Sequence, residues 1–196
     1  MAIQWSAAGL LRCARNDGVD VMRAALFLTA LLFATPATAE VVSAGPNGFE
    51  IRHSLQLTVP PATVYAAFGQ IGGWWAKGHT CSDDSANLRL SLTPGGCFCE
   101  RLPGGGGIEH MRVTYVDPGK RVVMTGSLGP LLYEATSGVM DVQIERLAGG
   151  ARFTLNYRAA GFARGGAEKL APLVDQVLAE QVKGFRTFAT SSSRSQ

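Results

Sequence analysis

The strongest constraint on the fold is a change of hydrophobic period along the chain. From 87 to 160 apolar and polar residues alternate, as in Leu88-Arg89-Leu90, and this period of two is typical of half-buried antiparallel strands. After Gly165-Gly166 the period becomes 3.6, and one apolar stripe continues from Leu170 to Phe188. The pattern predicts a series of antiparallel strands followed by one long amphipathic helix.

Turn residues divide the alternating region into six strands, at 88–92, 97–102, 108–116, 121–127, 137–146 and 151–159. Another strand, Phe49 to Val59, comes earlier and is followed by Pro60-Pro61 and a short helix over 62–70. A long amphipathic helix buries its apolar stripe best against the concave face of such a sheet. We therefore predict an α+β fold, a curved antiparallel sheet of about six to seven strands wrapped around the C-terminal helix.

Residues 1–39 have the features of a secretory signal peptide. Met22-Arg23 is followed by an apolar run, Ala24 to Ala34, and then by the small residues Ala37-Thr38-Ala39. We expect cleavage after Ala39 and a periplasmic or secreted protein, with Met22 as the alternative translation start. The folded domain then spans 40–190, and the polar residues 191–196 form a disordered tail.

Composition excludes several classes of protein. The 196 residues carry a net charge of +3, which is too small for the electrostatic surface of a nucleic-acid-binding protein. No apolar run reaches the roughly 20 residues that cross a bilayer, so we expect no integral membrane segment after cleavage. The sequence holds no G-x-S-x-G, H-E-x-x-H or P-loop pattern, and we expect no cofactor.

Three cysteines remain after cleavage, and an oxidising compartment favours a disulfide between two of them. Cys97 and Cys99 are two residues apart in a strand, and a bridge between them closes a very small ring. We therefore favour Cys81 bonded to Cys97 or to Cys99, and the sequence does not choose between the two. Zinc bound by His79, Cys81, Cys97 and Cys99 is the alternative, but its H-x-C and C-x-C spacing departs from that of structural zinc sites, and we predict no metal site.

The hairpin around 104–107 contains a candidate catalytic pair. If Leu102 pairs with Ile108, Glu100 lies opposite His110 on the neighbouring strand, with Cβ atoms about 4.5–5.5 Å apart. Inside a cavity this carboxylate–imidazole pair could act as a general base or orient a ligand. On the solvent face it would be an ordinary cross-strand pair that adds little stability.

The sequence leaves the face of that pair open. Phe98 shares the face of Glu100 and favours an interior position, whereas Met111 shares the opposite face, which also looks like core. Candidate ligand-binding residues are Trp74, Trp75, His79, Met111 and Tyr157; for each, core packing or simple solvation is the competing interpretation.

Three stretches resemble the START-like superfamily (SRPBCC, the helix-grip fold): VPPATVYAAFGQIGGWW at 59–75, LSLTPGGCFCE at 90–100 and VTYVDPGKRVVMTG at 113–126. Within it, the chain is most similar to the polyketide cyclase-like branch of heat-shock-chaperone ATPase activator C-terminal domains. The resemblance covers about 49–189 and implies a helix-grip fold, which hosts lipid carriers, cyclases, hydroxynitrile-type enzymes and co-chaperones.

Three functions are therefore open. The favoured one is an exported domain that binds a small hydrophobic or amphipathic ligand between sheet and C-terminal helix. The second is a cyclase- or hydrolase-type enzyme that uses Glu100 and His110. The third is an envelope chaperone-like interaction module, since an exported protein does not meet a cytosolic chaperone.

Overall fold

The computed structural model describes residues 38–191. Most of the predicted signal peptide, residues 1–37, and residues 192–196 of the predicted tail lie outside the described residues. Thr38 and Ala39, the last two residues of the predicted signal peptide, belong to the first strand, and Ser191 ends the last helix.

Eight strands and two α-helices make up the described chain. The strands are β1 (Thr38–Gly45), β2 (Gly48–Leu57), β3 (Leu88–Leu90), β4 (Cys97–Arg101), β5 (Gly107–Asp117), β6 (Arg121–Gly126), β7 (Ala135–Leu147) and β8 (Gly150–Phe162). Helix α1 (Pro61–Gly69) follows β2, and helix α2 (Ala171–Ser191) follows β8. Short 3-10 helices connect them, including Ile71–Gly73, Lys77–His79 and Ser85–Asn87.

All eight strands form one antiparallel sheet in the order β1-β2-β8-β7-β6-β5-β4-β3. After β2 the chain crosses to the far edge, where it forms β3, and then returns strand by strand until β8 pairs with β2. The sheet is curved and open, with β1 at one edge and β3 at the other. The α+β class and the antiparallel sheet with a C-terminal helix are therefore confirmed.

The predicted number of six to seven strands is too small by one. The additional strand is β1, which pairs with β2 from Thr38↔Ser54 to Gly45↔Gly48. The sequence analysis placed the beginning of this strand in the signal peptide. The remaining residues lack an alternating pattern because β1 is an edge strand with little buried surface, and only its partner β2 alternates clearly between buried and exposed positions.

The space between sheet and helices is filled by aromatic rings. Phe153 of β8 and Phe185 of α2 have ring centroids 4.5 Å apart, and Phe68 of α1 lies 5.9 Å from Phe153. Trp74 closes the cluster, 5.1 Å from Phe185. Helix α2 also packs on β1 and β2. Residues 38–191 contain no helix with both the length and the apolar character required to cross a membrane.

The alternation predicted for the last strand, 151–159, is confirmed. Phe153, Leu155 and Tyr157 are at most 2% exposed, whereas Arg158 on the opposite face is exposed. The helix prediction also holds, because Leu178, Val182 and Phe185 of the apolar stripe are buried. The regular α-helix begins at Ala171, after the 3-10 turn Ala167–Lys169.

Candidate functional site

A β-bulge in β5 decides which way His110 faces. Phe98 pairs with Met111 and Cys99 pairs with Glu109, so His110 is an extra residue between two ladder pairs. As a result His110 and Met111 are both buried, although they are consecutive residues of one strand. The register assumed from the sequence is wrong, since Glu100 pairs with Ile108 and not with His110.

The two side chains nevertheless meet inside the protein. Nε2 of His110 lies 3.0 Å from Oε2 of Glu100, and the side chains are 8% and 0% exposed. The other carboxylate oxygen of Glu100 accepts a hydrogen bond from the backbone N–H of Ser82, at 2.5 Å. The carboxylate therefore joins β4, β5 and the loop after Thr80. Sequence reasoning missed Ser82 because it lies in an irregular loop whose position beside β4 no periodic pattern predicts.

Electrostatics fix the charge states of this pair. Burial alone favours the neutral acid at Glu100, but hydrogen bonds from Ser82, Cys81 and His110 outweigh it and hold the pKa of Glu100 below its ordinary value. Burial lowers the pKa of His110, and the nearby Glu100 opposes this shift only in part. Near neutral pH the pair is an ionised carboxylate and a neutral imidazole. Nε2–H then donates to Glu100, and Nδ1 is left as an acceptor.

An aromatic layer covers the pair. The ring of Phe98 lies 5.0 Å from that of His110, and the ring of Trp75 lies 5.2 Å from Phe98. The indole N–H of Trp75 donates to the carbonyl of His79, at 3.1 Å. The imidazole ring of His79 in turn lies 2.9 Å from Oε2 of Glu180 on α2. Phe98 and Trp75 thus cover the Glu100–His110 pair, and the hydrogen bonds through His79 connect this layer to α2.

Two glycines before the tryptophans permit this packing. A Cβ on Gly73 would lie 2.6 Å from the ring of Phe188, and a Cβ on Gly72 would lie 2.8 Å from the carbonyl oxygen of Ser85. Only glycine lets the turn Ile71–Gly73 approach α2 and the loop so closely. In the Gly-Gly-Trp-Trp sequence the glycines therefore permit the close packing, and the tryptophans fill the core beside it.

The five predicted ligand-binding residues do not share one open cavity. Trp74, Trp75, Met111 and Tyr157 are buried in the core, and His79 forms the loop-to-helix contact with Glu180. Burial raises the pKa of Tyr157 to about 12, as expected of a phenol enclosed by apolar groups. These positions favour packing for four of the five residues.

An open groove of about 910 Å³ lies at the edge of the sheet instead. It runs along β3 beside the turn Ile71–Gly73 and Phe188 of α2, and Leu90 adds apolar surface. Arg89 is the charged side chain of its lining, and Cys97 and Cys99 complete the wall. The sequence analysis missed this groove because its lining combines a glycine turn and an edge strand with Phe188 of α2, which is distant from both in sequence.

The structure brings Cys97 and Cys99 together, with their Cα atoms 5.4 Å apart, whereas Cys81 is exposed in the loop. Residues two apart in a strand share a face, which explains why these two side chains are neighbours. A bridge from Cys81 to either of them stays a prediction. The four-residue zinc set is not assembled, because His79 is held by Glu180. Within 38–191, the group of three potential metal ligands that does come together is Cys97, Cys99 and Glu109.

Comparison with known proteins places the fold among solved structures. No protein-family model and no curated protein matches the chain. An uncharacterised protein from Rhizobium leguminosarum is similar in structure, with a TM-score of 0.55 and 18% identity over 79% of this chain and 98% of its own. Mll3558 from Rhizobium loti has a TM-score of 0.53 and 19% sequence identity, and the match covers 71% of this chain and 94% of its own. MLL2253 from Mesorhizobium loti has a TM-score of 0.51 and 16% sequence identity, and the match covers 71% of this chain and 95% of its own. At these identities the likeness to all three is one of fold.

Proposed function

We propose that the protein is an exported START-like, helix-grip domain that binds a small hydrophobic or amphipathic molecule between the edge of its sheet and its C-terminal helix. The groove of about 910 Å³ along β3 carries this proposal. Its volume falls within the roughly 300–1,000 Å³ of typical small-molecule sites. Phe188 belongs to α2 and Leu90 to the sheet, so the ligand would contact both parts of the fold.

Packing in the interior favours this groove over a central cavity. The rings of Phe68, Trp74, Phe153 and Phe185 occupy the space beneath α2, with centroid separations between 4.5 and 6.2 Å. A ligand at the centre would have to displace these rings. In this arrangement Trp74 and Trp75 do not contact the ligand, and their packing in the core holds the turn Ile71–Gly73 that lines the groove.

The lining favours an amphipathic ligand with an acidic group. Leu90 and Phe188 offer partly exposed apolar surface, and Arg89 offers the positive charge. Arg89 already donates to the carbonyl oxygens of Ala86 and Leu88, at 2.5 and 2.7 Å, and these contacts hold its guanidinium beside the groove. A carboxylate or phosphate on the ligand would pair with it.

Native mass spectrometry of the protein purified from an oxidising compartment tests this function. The expected result is an added mass of several hundred daltons that disappears on denaturation. The variant Leu90→Trp fills the groove and should lose the added mass, whereas Leu173→Trp, on the exposed side of α2, should keep it. A bare protein that also fails to take up any amphiphile from a lipid extract would refute ligand binding.

A second candidate function is supported by one observation, the buried Glu100–His110 pair. Removing an ionised carboxylate from water is costly, so its burial beside His110 is weak evidence for a purely stabilising role. Glu100 orients the imidazole and Nδ1 remains as an acceptor, which is the arrangement of a general base. We infer a cyclase- or hydrolase-type reaction as the alternative to simple binding.

A panel of ester, lactone and polyketide-like substrates would test that alternative. His110→Asn should remove turnover while preserving the melting temperature to within a few degrees. The matched control is His79→Asn, which removes the imidazole that contacts Glu180 and should leave turnover unchanged. Equal rates for wild type and His110→Asn would exclude catalysis by this pair.

Export is a separate part of the proposal. Sequencing the N-terminus of the native protein should give Glu40 as the first residue. A mature chain that begins at Met1 or Met22 would contradict cleavage after Ala39.

A further inference from the structure

Cys97 and Cys99 lie on the outer face of β4. Their neighbours Phe98 and Glu100 point into the core and are 1% and 2% exposed, whereas both cysteines are partly exposed. The thiols are thus reachable from solvent, and they line the groove along β3.

A carboxylate lies beside them on the next strand. Glu109 of β5 is the ladder partner of Cys99, and the bulge at His110 keeps its side chain on the outer face although Met111 points inward. The two sulfur atoms and a carboxylate oxygen of Glu109 all lie within 4.8 Å of one another. Zinc binds sulfur at about 2.3 Å and carboxylate oxygen at about 2.0–2.2 Å, so ligand atoms this close can share one ion.

We propose that Cys97, Cys99 and Glu109 of the reduced protein form a binding site for a thiophilic divalent cation such as Zn²⁺. Two thiolates and a carboxylate satisfy three positions of a tetrahedral ion, and solvent or a groove ligand takes the fourth. The site is independent of the proposed amphiphile, because the ion needs no ligand in the groove. An experiment can therefore refute metal binding without refuting ligand binding, and the reverse.

Arg112 competes with the cation for Glu109. Its Nε donates to Oε1 of Glu109 at 3.1 Å, its Nη2 donates to Oε2, and its Nη1 donates to the carbonyl of Gly95 at 3.0 Å. Arg112 is also the ladder partner of Cys97. Cation binding must release Glu109 from Arg112 and overcome the repulsion by the guanidinium, so removing Arg112 should tighten binding.

The sulfur–sulfur bond and the ion exclude each other. Closing the bond between Cys97 and Cys99 takes two electrons and two protons from the thiol pair, and diamide accepts both when it becomes the hydrazine. The resulting disulfide offers no thiolate to the ion. Oxidised protein should therefore not bind Zn²⁺, and reduction should restore binding.

The experiment measures Zn²⁺ affinity of the protein reduced with a phosphine, by competition with a chromophoric chelator. We expect one ion per chain. Cys97→Ser and Cys99→Ser should each lower the affinity by about 100-fold and Glu109→Gln by about tenfold. Arg112→Gln should raise it several-fold, and Cys81→Ser should leave it unchanged. Cd²⁺ should give the ultraviolet sulfur-to-metal charge-transfer band in wild type and lose it in the Cys97→Ser/Cys99→Ser double variant.

The site would be overturned by one-to-one Zn²⁺ binding that survives in the double variant, by loss of binding in Cys81→Ser, or by no binding to reduced wild type. Glu109→Gln and Arg112→Gln change only exposed side chains. Their opposite effects on affinity test the site even if a cysteine variant fails to fold, and equal effects of the two would also reject it.

Discussion

Nε2 of His110 lies 3.0 Å from Oε2 of Glu100, although the two residues are not partners in the strand ladder. The bulge in β5 makes the contact possible because it turns His110 inward together with Met111. Since Glu100 also holds the backbone of Ser82, one buried carboxylate fixes the relative position of two strands and a loop.

Truncation of Glu100 should destabilise the protein strongly. Glu100→Ala leaves His110 and the N–H of Ser82 without their acceptor inside the protein, and we expect a loss of roughly 3 kcal/mol in the free energy of unfolding. Glu100→Gln keeps an acceptor oxygen and should cost less. Urea denaturation measures both. Glu145→Gln, which breaks a half-exposed ion pair with Arg152, is the control and should change stability by less than about 0.5 kcal/mol. Equal losses for the Ala and control variants would contradict the buried role of Glu100.

Acidification should destabilise the fold through two histidines. Burial is the main cause that holds the pKa values of His53 and His110 below the ordinary 6.5. Below that pH the unfolded chain binds more protons than the folded one, so the free energy of unfolding should fall from about pH 7 to about pH 5. Glu100, with its pKa below 4.5, adds a further loss only at lower pH.

The double variant His53→Gln/His110→Gln should flatten this pH dependence. Chemical denaturation at a series of pH values provides the measurement. A wild-type stability that is constant or rises on acidification over this interval would show that the two imidazoles are not buried in the neutral form.

Gly138 in β7 leaves room for a buried tyrosine. A Cβ at this position would lie 2.6 Å from Cε2 and 2.7 Å from the hydroxyl of Tyr157, which is fully buried. Gly138→Ala should therefore destabilise the protein by about 1–3 kcal/mol through overpacking, in spite of the usual benefit of replacing a strand glycine. Gly149→Ala meets nothing within 4 Å and should be close to neutral. Thermal unfolding of the two variants side by side would decide, and a stabilised Gly138→Ala would count against the packing.

Phe185 is the ring that joins α2 to the sheet. It contacts Phe68, Trp74 and Phe153, and Phe185→Ala should cost about 3–5 kcal/mol because the cavity cannot collapse among rigid rings. Leu173→Ala, at a position 42% exposed on the same helix, should cost less than about 0.5 kcal/mol. Calorimetry of both variants would test this, and similar melting temperatures would mean that α2 is not anchored by the aromatic cluster.

The sequence predicts the parts of this fold in which one period is sustained. Phe153, Leu155 and Tyr157 alternate without interruption, and their common buried face follows directly. The stripe ending at Phe188 likewise predicts α2. Both elements are long, and a repeated pattern averages out local exceptions.

The candidate site lies where the period is broken. His110 and Met111 are consecutive and both buried, and an alternating pattern cannot express this because a bulge shifts every later residue of β5 by one. In the sequence, Phe98 and Met111 both look like core residues but fall on opposite faces of a regular hairpin. The bulge resolves this conflict, because it places both on the buried face. The nearness of Cys97 and Cys99, by contrast, follows from the alternating pattern, because residues two apart in a strand lie on the same face.

The position of β2 determines when the protein can fold. Its neighbours are β1 and β8, and the contact between Arg52 and Asn156 spans 104 residues. During synthesis one side of β2 has no partner until almost the whole chain exists, and α2, which packs on β1 and β2, is made later still. Pairing over such separations is slow. The last strand to be synthesised, β8, is thus the one that joins β2 to the rest of the sheet and completes it.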